Sequence, residues 1–405
     1  MNYKWLFLIL FTLTHLYTMI LNLVQYRSAS NPTPANVADV YDNETYQKWR
    51  AYHGEKSRLT ILRTVVSWAL TMALLACNFH AAAASIFPQG VFMQMLGVVL
   101  AQTLVETLVF LGFSWVDTMV IEQKYGFNKT TVKTFVIDQI RGFIIEMVLS
   151  VLLLSLLAWL HTAMGDWVIL LFAGAVFLLT LGISFLYGPV FSRLGNKFVP
   201  LEDGELKDKL MALLEKHGYQ VKAIEVMDAS RRTTKLNAYF TGFGKLKSIV
   251  LFDNLINAMS TDEIVAVFAH ELGHGLHKDV LKQQIMNLGN LLLMAVAVWL
   301  TVREPAMHEA FGFAAVNYGF AFVLLGGLLG LIQPLTGMAM NAYSRHAEYR
   351  ADAQAVKEGY GEALIGGLKQ LAKENFSNLA PSRALVVLEY SHPPLSERIA
   401  AIEKK

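Results

Sequence analysis

The chain is 405 residues long, 54% hydrophobic and only 16% charged, well below the roughly one quarter of charged residues usual in soluble domains. A net charge of +2 excludes a protein built to grip nucleic acid with a basic surface. The single cysteine, Cys77, excludes an internal disulfide and a cysteine zinc cage, and reads as a small buried hydrophobe inside an apolar run.

Lipid is therefore the expected solvent. About 20 apolar residues span a bilayer as a helix, and residues 5–24 supply the first such run. One basic residue, Lys4, precedes it; His15 and Asn22 interrupt it, and Ser28-Ala29-Ser30 makes a poor cleavage site. A retained helix is expected there rather than a cleaved signal peptide. Further runs at 62–87, 91–116, 142–163, 167–187, 284–302 and 316–340 bring the expectation to seven transmembrane helices. Basic residues alternate between the loops. Arg27, Lys48, Arg50, Lys56 and Arg58 follow the first run, and Lys124, Lys129, Lys133 and Arg141 follow the third; the turns at Pro88–Gly90 and Met164–Asp166 have none. Basic loops stay in the cytoplasm, so the N-terminus is expected outside and the C-terminus inside.

Two polar blocks, 189–283 and 341–405, then share the cytoplasmic side, while 1–188 and 284–340 form the membrane region. The first block opens with Pro200-Leu201-Glu202-Asp203-Gly204-Glu205-Leu206, a turn leading into an amphipathic helix that ends near Lys216. Strand-like runs follow at 221–227, 234–241 and 247–252. Ser260 and Glu263 then form a capping box for a helix running to about His277.

That helix carries His270-Glu271-Leu272-Gly273-His274. Histidines four apart share a helical face and can bind one tetrahedral ion, and a glutamate beside the first can take a proton from an attacking water. The pattern predicts a Zn2+ site with His270 and His274 as ligands and Glu271 as the base. A fortuitous pattern on a surface helix is the alternative. A catalytic zinc needs a third protein ligand. Ser344-Arg345-His346-Ala347-Glu348-Tyr349-Arg350-Ala351-Asp352 offers Glu348, with Asp352 on the same face to accept the other ring N–H of a ligand histidine. His346 and His277 stay open as competing ligands, and Arg345 and Arg350 would balance an ordinary solvated face.

Together these residues resemble the type I CaaX prenyl endopeptidases. Glu122-Gln123-Lys124-Tyr125-Gly126-Phe127-Asn128-Lys129, Asn237-Ala238-Tyr239 and Ser391-His392-Pro393-Pro394-Leu395-Ser396-Glu397-Arg398-Ile399 extend the resemblance over nearly the whole chain. It implies a mostly α, polytopic membrane protein, with seven helices around an internal water-filled chamber and an α+β zincin-like catalytic domain on the cytoplasmic side. The implied activity is that of a gluzincin-type metalloendopeptidase removing the C-terminal tripeptide of prenylated proteins. Its partners would be a peptide or protein substrate and the lipid bilayer, without nucleic acid. The resemblance also offers His392 and Arg398 as donors to the oxyanion. Asn237, Ala238 and Tyr239 would bind substrate along a strand edge. Eukaryotic members carry a long insertion where this chain has only Arg303–Ala315, which favours a bacterial inner membrane over the endoplasmic reticulum. Glu106, Glu146, Asn78 and His80 lie within apolar runs, where they face either water or other helices. A broad protease for misfolded membrane proteins and a metal transporter are the competing readings.

Overall fold

The computed structural model describes residues 2–87, 90–186, 193, 196–221, 223–231, 233–241 and 248–405. Pro88, Lys247, residue 187 and the expected domain boundary at 188/189 lie outside the described residues.

Helix α1 (Tyr3–Ser28) runs antiparallel to α2 (Asn43–Ala76), which starts on an Asp42 cap. Their polar side chains meet in ladder order, with His15 on Ser67 and Asn22 on Thr64. The second span differs from the expected 62–87. It begins earlier than residue 62 and breaks at Asn78, whose φ of 53° is left-handed, before the short α3 (Phe79–Ser85). Asparagine tolerates that conformation, and its Oδ1 accepts a 2.8 Å hydrogen bond from Lys4 Nζ. Cys77, at the end of α2, is exposed and not the buried hydrophobe its apolar neighbours suggest.

Helix α4 (Val91–Trp115) continues through a π-helical stretch, Val116–Glu122, into α5 (Gln123–Tyr125). The wider π turn brings Asp117 and Glu122, five apart, onto one face. There Lys56 of α2 pairs with both, at 2.5 and 3.0 Å. Helices α6 (Val132–Met164) and α7 (Trp167–Leu186) complete the N-terminal half.

The polar block holds β1 (Phe198–Pro200), α8 (Glu205–Lys216), β2 (Ala223–Met227), β3 (Ala238–Thr241) and β4 (Ser248–Phe252). Among the described residues they form one four-stranded sheet ordered β1-β2-β4-β3, parallel only between β2 and β4. The expected strand over 234–241 is shortened because its first half bonds elsewhere. Asn254 Nδ2 donates to the carbonyls of Thr233 and Lys235, and Asn375 Oδ1 accepts the Leu236 N–H. The three-residue β1 had no alternating pattern to announce it.

Next come α9 (Asp253–Ala258), α10 (Thr261–Leu276), α11 (Asp279–Arg303), α12 (Pro305–Glu309), α13 (Tyr318–Leu329) and α14 (Gln333–Lys357). The chain closes with α15 (Gly361–Glu374), α16 (Arg383–Leu388) and α17 (Leu395–Ile402). The last expected span is bent by 64° between α13 and α14. Gly330 sits in the break, where a Cβ would come within 2.3 Å of Thr14 Oγ1. Among the described residues five helices are long and apolar enough to cross a membrane, or six when the bent pair counts as one span. The apolar part of α7 is shorter, Trp167–Ile183. A core of Leu210, Leu214, Ile249, Leu251, Val265 and Leu364 seats α10 between the sheet, α8 and α15.

Candidate zinc centre

Helix α10 begins on the capping box read from sequence: Ser260 Oγ accepts the Glu263 N–H, and the Glu263 carboxylate accepts the Ser260 N–H at 2.8 Å. Its other end packs directly on α14. A Cβ at Gly273 would lie 2.9 Å from the Ala351 Cα, so only glycine permits this approach. The close crossing carries His270 and His274 to the Glu348 carboxylate.

The ring Nε2 atoms of His270 and His274 stand 3.5 and 3.3 Å from the two Glu348 oxygens. Zinc with nitrogen and oxygen ligands near 2.0–2.1 Å has tetrahedral edges of about 3.3 Å. All three side chains offer ligand atoms within 4.8 Å of one another. Glu348 Oε2 is buried and accepts no hydrogen bond, although Arg398 Nη1 pairs with it at 3.2 Å. A buried oxygen without a hydrogen bond is costly, and a cation in this N, N, O cluster would complete what the Arg398 ion pair leaves unmet. The donor set fits zinc.

The far sides of both rings are also engaged. His270 Nδ1 meets Asp352 Oδ1 at 2.8 Å, and Arg398 donates to Asp352 from Nη2 and Nε at 2.6 and 2.9 Å. His274 Nδ1 meets Asp279 Oδ2 at 3.1 Å. With Nδ1 protonated in each ring, both Nε2 lone pairs point at the common centre. Burial works against charge on His274, but Glu348 and Asp279 raise its pKa to about 9. Burial likewise opposes ionisation of Glu348, yet the His274 hydrogen bond and the Arg398 charge hold its pKa down to about 2.

The other sequence candidates fall around this cluster. Glu271 is half-buried beside His270. His392 lies at the lip, 64% exposed, with Nε2 3.3 Å from Glu348 Oε1. Arg398 is buried, paired with Glu348 and Asp352. His346 is exposed and His277 caps the end of α10, so neither joins the cluster. Ala238 and Tyr239 lie on β3, at the edge of the sheet. Asn237 precedes them, exposed, its Oδ1 accepting the Ala238 N–H at 2.9 Å. Asp279 escaped the sequence reading. Five residues beyond His274 it would lie on another face of a continuing helix, and no motif signalled the turn that brings it back.

Residues 22–197 match the family model described as CAAX prenyl protease N-terminal, five membrane helices, and residues 200–405 match peptidase family M48. The class is thus a multi-pass membrane metalloendopeptidase, and it is zinc-dependent. CAAX prenyl protease 1 of Saccharomyces cerevisiae is 31% identical over 420 residues, covering 94% of this chain and 90% of that one. The CAAX prenyl protease 1 homolog of Arabidopsis thaliana is 30% identical over 409 residues, covering 96% and 95%. The crystal structure of S. mikatae Ste24p matches with a TM-score of 0.91 at 28% identity, over 99% of each chain. The chain belongs to peptidase family M48.

Proposed function

We propose that the chain is an endopeptidase of the CAAX prenyl protease type, cleaving the C-terminal tripeptide from prenylated proteins. The observation that carries this reading is the convergence of His270, His274 and Glu348 beside Glu271, on a fold matched along its whole length by Ste24p. Zinc bound there would supply Lewis acidity toward the scissile carbonyl and its attacking water. Glu271 takes the proton of that water and hands it to the leaving amine. Asp352 and Arg398 hold His270 and Glu348 in place, so Arg398 acts through the ligands. His392, exposed at the lip, is the donor available to the oxyanion. The substrate backbone lies along β3 through Ala238 and Tyr239, with Asn237 at its entry.

The proposed topology has seven spans, α7 included, around a water-filled chamber. The N-terminus lies outside; blocks 189–283 and 341–405 form the cytoplasmic catalytic domain against membrane segments 1–188 and 284–340. The alternation of basic loops supports this orientation. Glu106 and Glu146 support the chamber: both are exposed, and Glu106 accepts a 2.5 Å hydrogen bond from Gln102. Charged groups at that depth need water or protein, not lipid. The short connection between α11 and α13 supports a bacterial inner membrane.

Mass spectrometry of products from a farnesylated and an unfarnesylated peptide ending in a CaaX box tests the substrate class. Release of the tripeptide from the farnesylated peptide alone is the expected result. Equal cleavage of both at scattered positions would instead indicate a broad protease.

A further inference from the structure

The two histidines are backed by constructions of one kind. Behind His270 stands Asp352, held by Arg398. Behind His274 stands Asp279, 6% exposed, whose Oδ1 accepts from Arg350 Nη2 at 2.6 Å and from the Tyr343 hydroxyl at 2.8 Å. The Arg350 guanidinium lies 5.7 Å from the centre of the Tyr343 ring, and its Nε is buried without a partner. Such an incompletely satisfied arginine is expensive to keep, and among the described residues its ion pair is with Asp279.

The turn that delivers Asp279 is itself unusual. Lys278 has a φ of 55°, a left-handed conformation disfavoured for a side chain of this kind. It ends α10 and starts α11 with Asp279 as the first residue. The chain thereby doubles back, and the carboxylate returns to the ring of His274.

Resting on the zinc-peptidase reading above, we propose that Asp279 is the positioning residue of His274, locked by Arg350 and Tyr343. Helix α14 then sets every ligand of the centre. It provides Glu348 directly, orients His270 through Asp352, and orients His274 through Tyr343, Arg350 and Asp279. The alternative is purely structural: an acid stabilising the start of α11 through the helix dipole, with Arg350 as an ordinary ion pair.

Zinc affinity, measured by chelator competition on the full-length protein in detergent, separates the two. Asp279→Ala is expected to weaken zinc about 10–100-fold. Asp279→Asn, which keeps the shape and one acceptor, tests the same point should the alanine variant fail to fold, and it should alter the visible bands of the cobalt(II)-loaded protein. Arg350→Gln should weaken zinc as well, yet add less than about twofold to Asp279→Ala, because both act through His274. Native zinc affinity and native cobalt bands in Asp279→Asn, with only a lower melting temperature of the zinc-free protein, would overturn the proposal in favour of the dipole role. His274→Ala separates the underlying reading from this one. Zinc held at native affinity in that variant would refute the ligand set itself.

Discussion

At the residue scale the centre depends on how charge is arranged in a buried space. Glu348, Asp352, Asp279 and Glu271 bring four carboxylates to one cluster. Arg398 and Arg350 offset the buried ones at ion-pair distance. In the zinc-free protein His274 adds a further positive charge, since its pKa of about 9 keeps the ring protonated at neutral pH. That interaction stabilises the zinc-free fold fully below the ordinary histidine value of 6.5 and is lost as pH rises through about 9. On the proposed ligand set, zinc binding displaces this proton. Its apparent affinity should therefore climb with pH, by about tenfold per unit at most, and level off above about 9. Chelator competition between pH 7 and 10 checks this, and an affinity indifferent to pH over that range would contradict it. The proposed ligand pair and base were legible as candidates in the sequence because their chemistry demands residues i, i+1 and i+4 on one helix. Asp279 could not, because its place follows from the backbone reversal at Lys278.

At the scale of elements, the crossing of α10 and α14 makes the site. Gly273 is part of the histidine motif, yet its role is steric. Substitution by alanine would push its Cβ against the Ala351 backbone, 2.9 Å away, and force the helices apart. Gly273→Ala should cost about 1–3 kcal/mol in stability and release zinc, read by thermal melting and by metal content. Unchanged zinc stoichiometry would show that the contact does not hold the ligands together. Helices α8 and α10 were legible because amphipathic spacing and a capping box are local signals. The break at Asn78, the π-helical stretch at Val116–Glu122 and the bend between α13 and α14 were not, since apolar composition looks the same in a straight helix and a broken one. The shortened β3 depended on Asn254 and Asn375, the latter distant in sequence.

Across the whole molecule, hydropathy picked out the five helices that are long and apolar enough to cross a membrane among the described residues, and the bent pair that makes a sixth. It could not say which faces meet lipid and which meet water, because both count as exposed surface. In the proposed chamber, Glu106 and Glu146 face water. In a variant with Cys77 replaced by alanine, needed because Cys77 is exposed, cysteines introduced at 106 and 146 should react with a membrane-impermeant thiol reagent. Failure to react at both would argue for a dry bundle in place of a chamber.

The central claim is that His270, His274 and Glu348 hold zinc while Glu271 moves the proton. Replacing Glu271 by glutamine keeps the shape and removes the base. Zinc content and peptide cleavage measured on the same purified Glu271→Gln sample test the claim most directly. The expected result is one zinc per chain and a loss of about three orders of magnitude in cleavage rate. Native cleavage by that sample would contradict it.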